Sequence, residues 1–468
     1  MWLSLNKDKY GEYFENKNRE VSGFYAGSFR NDDIQAIQER KLNEVLQYVI
    51  RQSKYYSQSL SKYKDVEVKL SDLKNLPFTT KGDLQEQLQD IMCIDFENAF
   101  VYCETSGTTG KAVPCPRSAV DKIFVNLNWT YGWRNLLGTE KKHIIGISGP
   151  TELYGMVDTF SDVFNNLGHC IVKINPFAHR LSFEKALEVM KDLKMTAFCG
   201  TPTVCMMLAK ATKIYGYDIK QDFALERIFL TGELCSNAMA KNISRIWGAK
   251  AINHPYASQE LFSISTACPN DHLHFLPLDY IYEVVDYQTG EYIGETGVGE
   301  LVITMLEKGA KPLIRFKTGD YVKVERETGC AFPSLVVHPF GRVKDILLLN
   351  DKEVTAFEIE DLIIDELESC YGYSLSIDTV KDKDFLNIEL DLEDKEKLTP
   401  EISAKIVSKL QERFRVNGNL TVKELSKETT LGANIGWKAA RVKDNRVPMD
   451  AEKALALEMG KRRVIKSE

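Results

Sequence analysis

The segment that most constrains this 468-residue chain is a loop rich in hydroxyl and glycine residues, Thr105-Ser106-Gly107-Thr108-Thr109-Gly110-Lys111. Glycine lets the backbone approach an anion closely, while the hydroxyl groups and the lysine supply donors and positive charge. A Walker-type loop is excluded, because Thr105 and Ala112 stand where that motif needs its first glycine and its final hydroxyl residue. The loop therefore predicts a phosphate-binding site.

Downstream of this loop, short apolar segments alternate with helical ones. The pattern predicts strands at 143–147, 196–199 and 227–231 and helices at 183–194 and 203–214. Such alternation is typical of a parallel sheet with crossover helices. Later segments, 282–286 and 299–304, lie on either side of a turn and predict antiparallel strands. The large domain is therefore predicted to be α/β.

Two further patterns complete the predicted organisation. Apolar residues at helical spacing predict an amphipathic helix within 32–60, and Thr80 stands where a helix cap would. After about residue 341 the chain becomes a small α+β pattern, with strands at 345–349 and 386–392 and helices at 356–368 and 401–414. We therefore predict an N-terminal domain over 1–341 and a smaller C-terminal domain over 342–468.

The composition favours small, diffusible partners. Hydrophobic residues make up 44% and charged residues 27% of the chain, as in soluble globular proteins, and the net charge is −7. A negative balance gives no general attraction to nucleic acid or to an anionic membrane. The ten cysteines are scattered without CxxC spacing, and no secretory signal or membrane span is apparent. These features predict a cytoplasmic protein that binds neither nucleic acid nor membrane, with an oligomer left open.

At the phosphate-binding loop the sequence resembles the adenylate-forming superfamily, which includes acyl-CoA synthetases, adenylation domains and luciferases. Within it, the chain is most similar to phenylacetate:CoA ligase and its relatives, because Lys111 directly follows the glycine and Leu76-Pro77-Phe78-Thr79-Thr80-Lys81 lies upstream. The resemblance covers nearly the whole chain. It implies a large N-terminal domain that binds ATP and a carboxylate, with a mobile lid at the C-terminus.

The resemblance places the loop on the ATP phosphates and gives Lys111 a catalytic role. The segment with Gly232 and Glu233 would close over the adenine. Within His254-Pro255-Tyr256-Ala257-Ser258-Gln259-Glu260, Tyr256 would lie against the adenine ring and Glu260 would bind Mg²⁺ through a hard oxygen ligand.

This segment departs from the family's Tyr-Gly-x-Thr-Glu pattern at two positions. Ala257 replaces glycine, and Gln259 replaces the hydroxyl residue that would contact the α-phosphate. A glutamine amide also donates hydrogen bonds to phosphate, so Gln259 is assigned to the ATP site.

Three later motifs resemble the rest of the family's site. Asp320, in Lys317-Thr318-Gly319-Asp320, would accept hydrogen bonds from both ribose hydroxyls. Arg342 would contact ribose or phosphate, and Lys344 would be the hinge on which the lid turns. Lys438 would be the catalytic lysine, although Trp437 separates it from the motif's glycine. The family's Gly-rich continuation after the hinge is replaced by 350–354, which leaves the thiol acceptor open.

A metal site and the substrate pocket are less sharply defined. Cys268, His272, His274 and Cys330 fall where some relatives hold a structural zinc, and their types suit tetrahedral Zn²⁺. Their spacing is loose and a second Cys-x-Cys pair is absent, so the sequence favours unmetallated residues.

The acid-binding pocket is expected to draw on aromatic residues and on the segment 148–155. Glu152 or Asp158, if directed inward, would hold the ammonium group of an amino acid; aromatic lining would instead favour an aryl or arylalkyl acid. The sequence leaves this choice open. The aromatic residues expected to contribute are Trp129, Tyr131 and Trp133.

The resemblance implies an ATP-dependent ligase. It would convert a small carboxylic acid into an acyl-adenylate with release of pyrophosphate, and then pass the acyl group to a thiol, preferably coenzyme A. One alternative is an enzyme that loads the phosphopantetheine of a separate carrier protein. A second is a nucleotide-binding relative that has lost catalysis and acts as a regulatory subunit.

Overall fold

The computed structural model describes residues 6–105, 112–178, 181–327, 329–330, 332–423 and 441–446. No helix among these residues is long and apolar enough to cross a membrane. The helices of this part of the chain are α1 (Lys7–Tyr25), α2 (Asn31–Gln52), α3 (Lys54–Ser59), α4 (Lys81–Ile91), α5 (Ala119–Leu137), α6 (Met156–Asn166), α7 (Phe183–Asp192), α8 (Pro202–Tyr215), α9 (Ile219–Asp222), α10 (Asn237–Trp247), α11 (Ala356–Asp365) and α12 (Pro400–Phe414).

Strands form two large sheets, one four-stranded sheet and two small ladders. Their bounds are β1 (Ile144–Ile147), β2 (Cys170–Lys173), β3 (Ala197–Gly200), β4 (Arg227–Leu230), β5 (Lys250–Asn253), β6 (Ala257–Ser258), β7 (Phe262–Ser263), β8 (Ser265–Ala267), β9 (Leu273–Phe275), β10 (Tyr280–Val285), β11 (Tyr292–Gly294), β12 (Gly297–Met305), β13 (Phe316–Glu325), β14 (Val336–Arg342), β15 (Leu347–Leu349), β16 (Lys352–Val354), β17 (Cys370–Val380), β18 (Lys383–Leu392), β19 (Asn417–Val422) and β20 (Val442–Asp444).

The predicted parallel sheet is confirmed. It has five strands in the order β2-β1-β3-β4-β5, and every described pairing within it is parallel. Strands β1, β3 and β4 and helices α7 and α8 lie within a few residues of their predicted positions. The faces of these strands are packed against helices, so each strand is a continuous apolar run bounded by polar residues. The α/β class of the large domain follows.

A seven-stranded sheet lies next along the chain, in the order β11-β10-β12-β13-β14-β9-β8. The pairs β10–β12, β12–β13 and β13–β14 are antiparallel, and they include the two strands predicted at 282–286 and 299–304. In β13, buried and half-buried residues alternate, as expected for a strand with one face on the core. The register sets Asp320 of β13 directly opposite Arg342 of β14.

The chain after residue 342 forms its own sheets. Strands β15 and β16 make a short ladder, and the other four strands take the order β19-β18-β17-β20. The predicted helices at 356–368 and 401–414 correspond to α11 and α12, with caps at Thr355 and Thr399. The long strand β17 was not predicted from the sequence. The division at 341 remains a proposal, supported by this separate sheet membership.

The two halves share apolar packing and hydrogen bonds. One continuous core cluster contains Trp247 and Ile243 of α10 together with Ile359 and Ile363 of α11. Beside it, the Asn242 side chain donates to a backbone carbonyl and accepts a backbone N–H of the same C-terminal residue, Cys370, at 2.6 and 3.0 Å. The C-terminal part is therefore docked on the large domain in this structure.

The N-terminal helices cover the large domain. Helix α2 buries Leu42, Val45, Leu46 and Val49, so the amphipathic prediction is confirmed, although Ser53 ends α2 and caps the separate α3. Thr80 caps α4 as predicted, its side chain accepting the Asp83 N–H at 3.2 Å. The segment before this cap pairs with the start of β13, where Thr79 bridges to Phe316.

Candidate functional site

Three of the predicted site residues, Tyr256, Asp320 and Arg342, meet beside strands β13 and β14 of the seven-stranded sheet. The Tyr256 hydroxyl donates to Asp320 Oδ2 at 2.5 Å, and Arg342 Nη1 lies 3.1 Å from Asp320 Oδ1. Asp320 and Arg342 are brought together by the β13–β14 register, and Tyr256 follows β5 of the parallel sheet. The two carboxylate oxygens of Asp320 are therefore held by two donors, one on β14 and one in the segment after β5.

Burial and charge shape the ionisation of this group. Burial raises the pKa of Asp320, while the Arg342 charge and the Tyr256 hydrogen bond lower it, and the nearby Glu260 charge raises it. The pKa of Tyr256 is raised well above its usual value by burial and by the Asp320 charge. The shared proton thus stays on the phenol, and Asp320 remains an acceptor, as recognition of ribose hydroxyls requires.

The turn that presents Asp320 depends on glycine. Gly319 adopts a φ of 72°, which favours glycine, and its N–H donates to Glu300 Oε1 at 3.1 Å. Arg342 Nη1 donates to the Thr318 carbonyl at 3.0 Å, which ties the guanidinium to the same turn. The Thr-Gly-Asp segment is therefore an irregular stretch within a paired strand. Glu300 holds it through the Gly319 N–H, and Arg342 holds it through the Thr318 carbonyl.

Glu260, the predicted magnesium ligand, lies close to this group. It is 8% exposed, and its backbone carbonyl accepts from Lys311 Nζ at 2.8 Å. Its charge contributes to the raised pKa of Asp320 and to the raised pKa of the Arg342 guanidinium, whose largest cause is Asp320. The Glu260 carboxylate is a hard oxygen ligand of the kind that Mg²⁺ prefers, so its chemistry fits the metal.

Gln259 is held by a residue that sequence reasoning missed, Arg117. Arg117 Nη2 donates to Gln259 Oε1 at 2.9 Å, and both residues are buried. Gln259 also hydrogen-bonds Tyr154; burial raises the pKa of that phenol, and this hydrogen bond opposes the rise. The two partners are 142 positions apart, and no local motif signals the contact.

Only the base of the phosphate-binding loop lies in the described part of the chain. The Thr105 N–H donates to the Val113 carbonyl and the Val113 N–H donates to Thr105 Oγ1, both at 2.9 Å. These two hydrogen bonds join the residues on either side of the loop. The loop's remaining predicted residues lie outside the described residues: Ser106, Gly107, Thr108, Thr109, Gly110 and Lys111.

Glu233 lies where the lid meets the large domain. Gly232 before it has a φ of 82°. The Glu233 carboxylate accepts the Thr203 N–H at 3.0 Å and the Thr203 hydroxyl at 2.9 Å, and it lies 3.8 Å from Arg441 Nη2. These contacts fix Glu233 on the N-terminus of α8.

Arg441 joins the lid to this point. Its Nη1 donates at 2.5 Å to Glu360 Oε2, and Glu360 Oε1 accepts the Ser236 N–H of the large domain at 2.9 Å. Lys438 lies outside the described residues, three positions before Arg441. Lys344, the predicted hinge, lies in a short 3₁₀ turn, Val343–Asp345, directly after β14.

The four possible zinc ligands converge, although the sequence favoured unmetallated residues. One ligand atom from each of Cys268, His272, His274 and Cys330 lies within 4.8 Å of the others. The two sulfur atoms are 3.9 Å apart, close to the edge of about 3.8 Å expected for a tetrahedron with Zn–S bonds of about 2.3 Å. His272 Nδ1 is 3.1 Å from Cys330 Sγ. The Cys and His donor set therefore fits zinc.

His274 has the orientation of a metal-binding histidine. Its Nδ1 lies 3.2 Å from the Ser334 carbonyl, which favours a proton on that nitrogen. Its Nε2 is buried and has no protein hydrogen-bond partner among the described residues. A histidine held through one nitrogen by a backbone carbonyl presents the other as a metal ligand.

The residues considered for the acid pocket divide between core and surface. Trp133 is fully buried and packs edge-to-face against Phe160 and Phe164, while Trp129 is 4% exposed, so both belong to the aromatic core. Tyr131 stacks on Tyr25. Glu152 and Asp158 are both exposed, and Asp158 pairs with Lys173 at 2.7 Å. Neither acid is directed inward to hold an ammonium group.

Comparisons with known proteins find similar chains. The phenylacetate-coenzyme A ligase of Thermus thermophilus is 26% identical over 366 residues, which cover 71% of this chain and 76% of that enzyme. The phenylacetate-coenzyme A ligase of Escherichia coli is 22% identical, over 82% of this chain and 88% of its own. The crystal structure of 2-hydroxyisobutyryl-CoA ligase in the postadenylation state superimposes with a TM-score of 0.74 at 17% identity, covering 93% of both chains.

A family model described as AMP-binding enzyme matches residues 33–305. This range is more than half of the chain and contains the loop at 105–111, Glu233, Tyr256 and Glu260. Asp320 and Arg342 follow it and complete the cluster that Tyr256 begins. The chain belongs to the family of AMP-binding enzymes.

Proposed function

We propose that this protein uses ATP to activate a small carboxylic acid and then transfers the acyl group to a thiol. The observation that carries the proposal is the buried group of Tyr256, Asp320 and Arg342, with Glu260 beside it. Asp320 would accept the ribose hydroxyls, Tyr256 would lie against the adenine, and Arg342 would contact ribose or phosphate. The nucleotide's 5′ phosphate would then extend towards Glu260 and the loop at 105–111.

In the first step, a carboxylate oxygen of the acid attacks the α-phosphorus of ATP, and the bond to pyrophosphate breaks. Glu260 would hold a Mg²⁺ ion, which would supply neutralisation of phosphate charge. The chain contributes positioning and positive charge, from Lys111 and from Lys438 when the lid is closed. In the second step a thiol attacks the carbonyl carbon of the acyl-adenylate, and AMP leaves.

Coenzyme A is the proposed acceptor, and an aryl or arylalkyl acid is the proposed substrate class. The named activity of the relatives from Thermus thermophilus and Escherichia coli supports both choices. The outward position of Glu152 and Asp158 argues against an amino acid held by either residue. Loading of a separate carrier protein remains the alternative acceptor, and a cytoplasmic location remains a prediction.

Exchange of labelled pyrophosphate into ATP, measured across a panel of acids, tests the proposal. We expect acid-dependent exchange with aryl or arylalkyl acids. Asp320→Asn should lower this exchange by about tenfold or more, because an amide loses one acceptor and its charge while it keeps the shape. No exchange with any acid, alongside intact MgATP binding, would favour the regulatory alternative.

We also propose that Cys268, His272, His274 and Cys330 hold a structural zinc ion. Their convergence and the backbone-held His274 support this assignment. Protein purified without chelator should contain about one zinc per chain, and Cys268→Ser should lose it and unfold at lower temperature. Cys170→Ser, at an exposed cysteine of β2, is the matched control and should keep the metal. Metal-free wild type with unchanged stability would contradict the site.

A further inference from the structure

Arg117 is a buried cation whose described contacts are all to neutral groups. It is 7% exposed, and its Nη1 donates to Thr159 Oγ1 at 3.3 Å while Nη2 donates to Gln259 Oε1 at 2.9 Å. Its guanidinium carbon lies 4.8 Å from the centre of the Phe262 ring. Within the described ranges, no carboxylate lies within ion-pair distance of Arg117. Burying a charge without an ion-pair partner costs free energy. Such a residue is therefore a candidate for a role in the site.

The contact with Gln259 determines which way the amide faces. A guanidinium only donates hydrogen bonds, so the amide oxygen must point towards Arg117 and the amide NH₂ must point away. The hydrogen bond with Tyr154 is consistent with this orientation, because the NH₂ group donates to the phenol oxygen. Both side chains are buried, so rotation of the amide would leave the Arg117 donor facing another donor.

Gln259 lies in the segment that carries the proposed nucleotide-binding residues Tyr256 and Glu260. Gln259 directly precedes Glu260, whose charge acts on both Asp320 and Arg342. A nucleotide with its ribose on Asp320 would bring its first phosphate between that residue and Glu260. The Gln259 NH₂, oriented by Arg117, would be a suitable hydrogen-bond donor to an oxygen of that phosphate.

We propose that Arg117 is a positioning residue that aims the Gln259 amide NH₂ at the α-phosphate. This inference rests on the proposed function. It makes phosphate binding through Gln259 dependent on Arg117. A glutamine has two opposite faces, one that donates and one that accepts, so it needs Arg117 to select the donating face. A threonine at the same position donates through a rotating hydroxyl and needs no such selection.

Binding of AMP and of adenosine, measured by calorimetry, tests this dependence without knowledge of the acid substrate. The variants are Arg117→Met, Gln259→Thr and the double variant. Arg117→Met should lower the ratio of AMP to adenosine affinity by about tenfold or more, because a hydrogen bond to a charged group is lost, and should leave adenosine binding within about twofold. In the Gln259→Thr background the same Arg117 change should have little effect on that ratio.

Lys311→Met is the matched control for loss of a buried charge. Lys311 is 1% exposed, lies 5.5 Å from the same Phe262 ring and donates to the Glu260 carbonyl, but has no described bond to the Gln259 amide. Its effect on the ratio should therefore be the same in the wild-type and the Gln259→Thr backgrounds. If Arg117→Met also had the same effect in both backgrounds, Arg117 would act only through its charge and the proposal would be overturned.

A second variant protects the test against misfolding of Arg117→Met. Gln259→Glu keeps the side-chain shape and can form an ion pair with Arg117, but it presents only acceptors to the nucleotide. We expect it to fold, to bind adenosine and to lose the preference for AMP. Retention of the preference would contradict the role of the amide. Wild type that bound neither nucleotide would instead contradict the proposed function itself.

Discussion

His254 is the fully buried histidine of the site segment, and it is neutral. It is 0% exposed, its Nδ1 accepts the Ala267 N–H at 3.0 Å, and its ring centre lies 4.7 Å from that of Trp133. Burial lowers the pKa of His254 from 6.5 to about 3. In the unfolded chain the same imidazole takes up a proton at an ordinary pKa, so acid favours unfolding.

We therefore expect the free energy of unfolding to fall between pH 7 and pH 5 by about 2 kcal/mol from this residue alone. The free energy of unfolding falls because the pKa of His254 is lowered in the folded state. Below pH 6.5 the unfolded state binds a proton that the folded state does not bind. His254→Asn, which offers an amide oxygen to the Ala267 N–H, should remove this part of the pH dependence. Urea denaturation of both proteins at the two pH values measures it, and equal losses would contradict the assignment.

At the scale of residues, the sequence offers candidates where a motif is local. Tyr256 and Asp320 were each assigned to the nucleotide site from a short segment of characteristic composition, and their side chains are hydrogen-bonded to each other. Arg117 was missed because its partner Gln259 lies in a different segment, and an isolated arginine carries no signal. The convergence of Cys268, His272, His274 and Cys330 could not be predicted, because their spacing along the chain does not reveal that β8, β9 and the loop before β14 bring them together.

At the scale of elements, helix α5 begins in an unusually constrained way. Asp121 Oδ2 accepts the Ser118 N–H and hydroxyl at 2.7 and 2.8 Å and the Ala310 N–H at 2.8 Å. A Cβ atom on Gly309 would lie 1.8 Å from Asp121 Oδ1. The capping box of α5 is thus packed against a glycine of the loop after β12.

Gly309→Ala should therefore lower the free energy of unfolding by about 2–3 kcal/mol, because the buried carboxylate has to move or lose its donors. Gly372→Ala is the matched control, since a Cβ there would meet no atom within 4 Å. That change in β17 should stay within about 0.5 kcal/mol. Chemical denaturation of the two variants and the wild type provides the comparison. A stable Gly309→Ala protein would show that the cap can shift at little cost.

Elements were predictable where their inner faces are aliphatic. Strands β3 and β4 have apolar runs that are buried on both sides, and their ends were predicted closely. Helix α1 was not predicted, because its inward residues include Lys17, which pairs with Glu307 at 2.9 Å and with Asp279. Strand β17 was also missed, since its sequence mixes glycine, serine, aspartate and threonine with few aliphatic residues and its partner strands follow later in the chain.

At the scale of the whole molecule, the lid and the large domain meet at Arg441. This residue contacts Glu360 of the lid and lies near Glu233 of the large domain. Arg441 is the last residue of the motif that begins at Gly436, and Lys438 lies three positions before it in the sequence.

Lys438→Ala should therefore affect the two half-reactions differently. Adenylate formation should fall by at least about a hundredfold, because a charged contact present mainly in the transition state is lost. Thioester formation from synthetic acyl-adenylate should stay within about tenfold of wild type, because the proposed rotation of the C-terminal domain would carry Lys438 away from the reacting atoms. Lys443→Ala, at an exposed lysine of β20, should leave both steps unchanged. An equal loss in both steps would contradict the catalytic assignment of Lys438.

The pairing of Thr79 with the start of β13 constrains the order in which the molecule can assemble. Thr79 donates its hydroxyl to the Ile314 carbonyl at 2.8 Å across 235 positions, and its backbone pairs with Arg315 and Lys317. At about 5–20 residues per second, synthesis of the intervening chain takes roughly 10–50 seconds on the ribosome. Throughout that interval the nascent N-terminal segment lacks its strand partner, so Thr79 reaches its native pairing only after β13 has been synthesised.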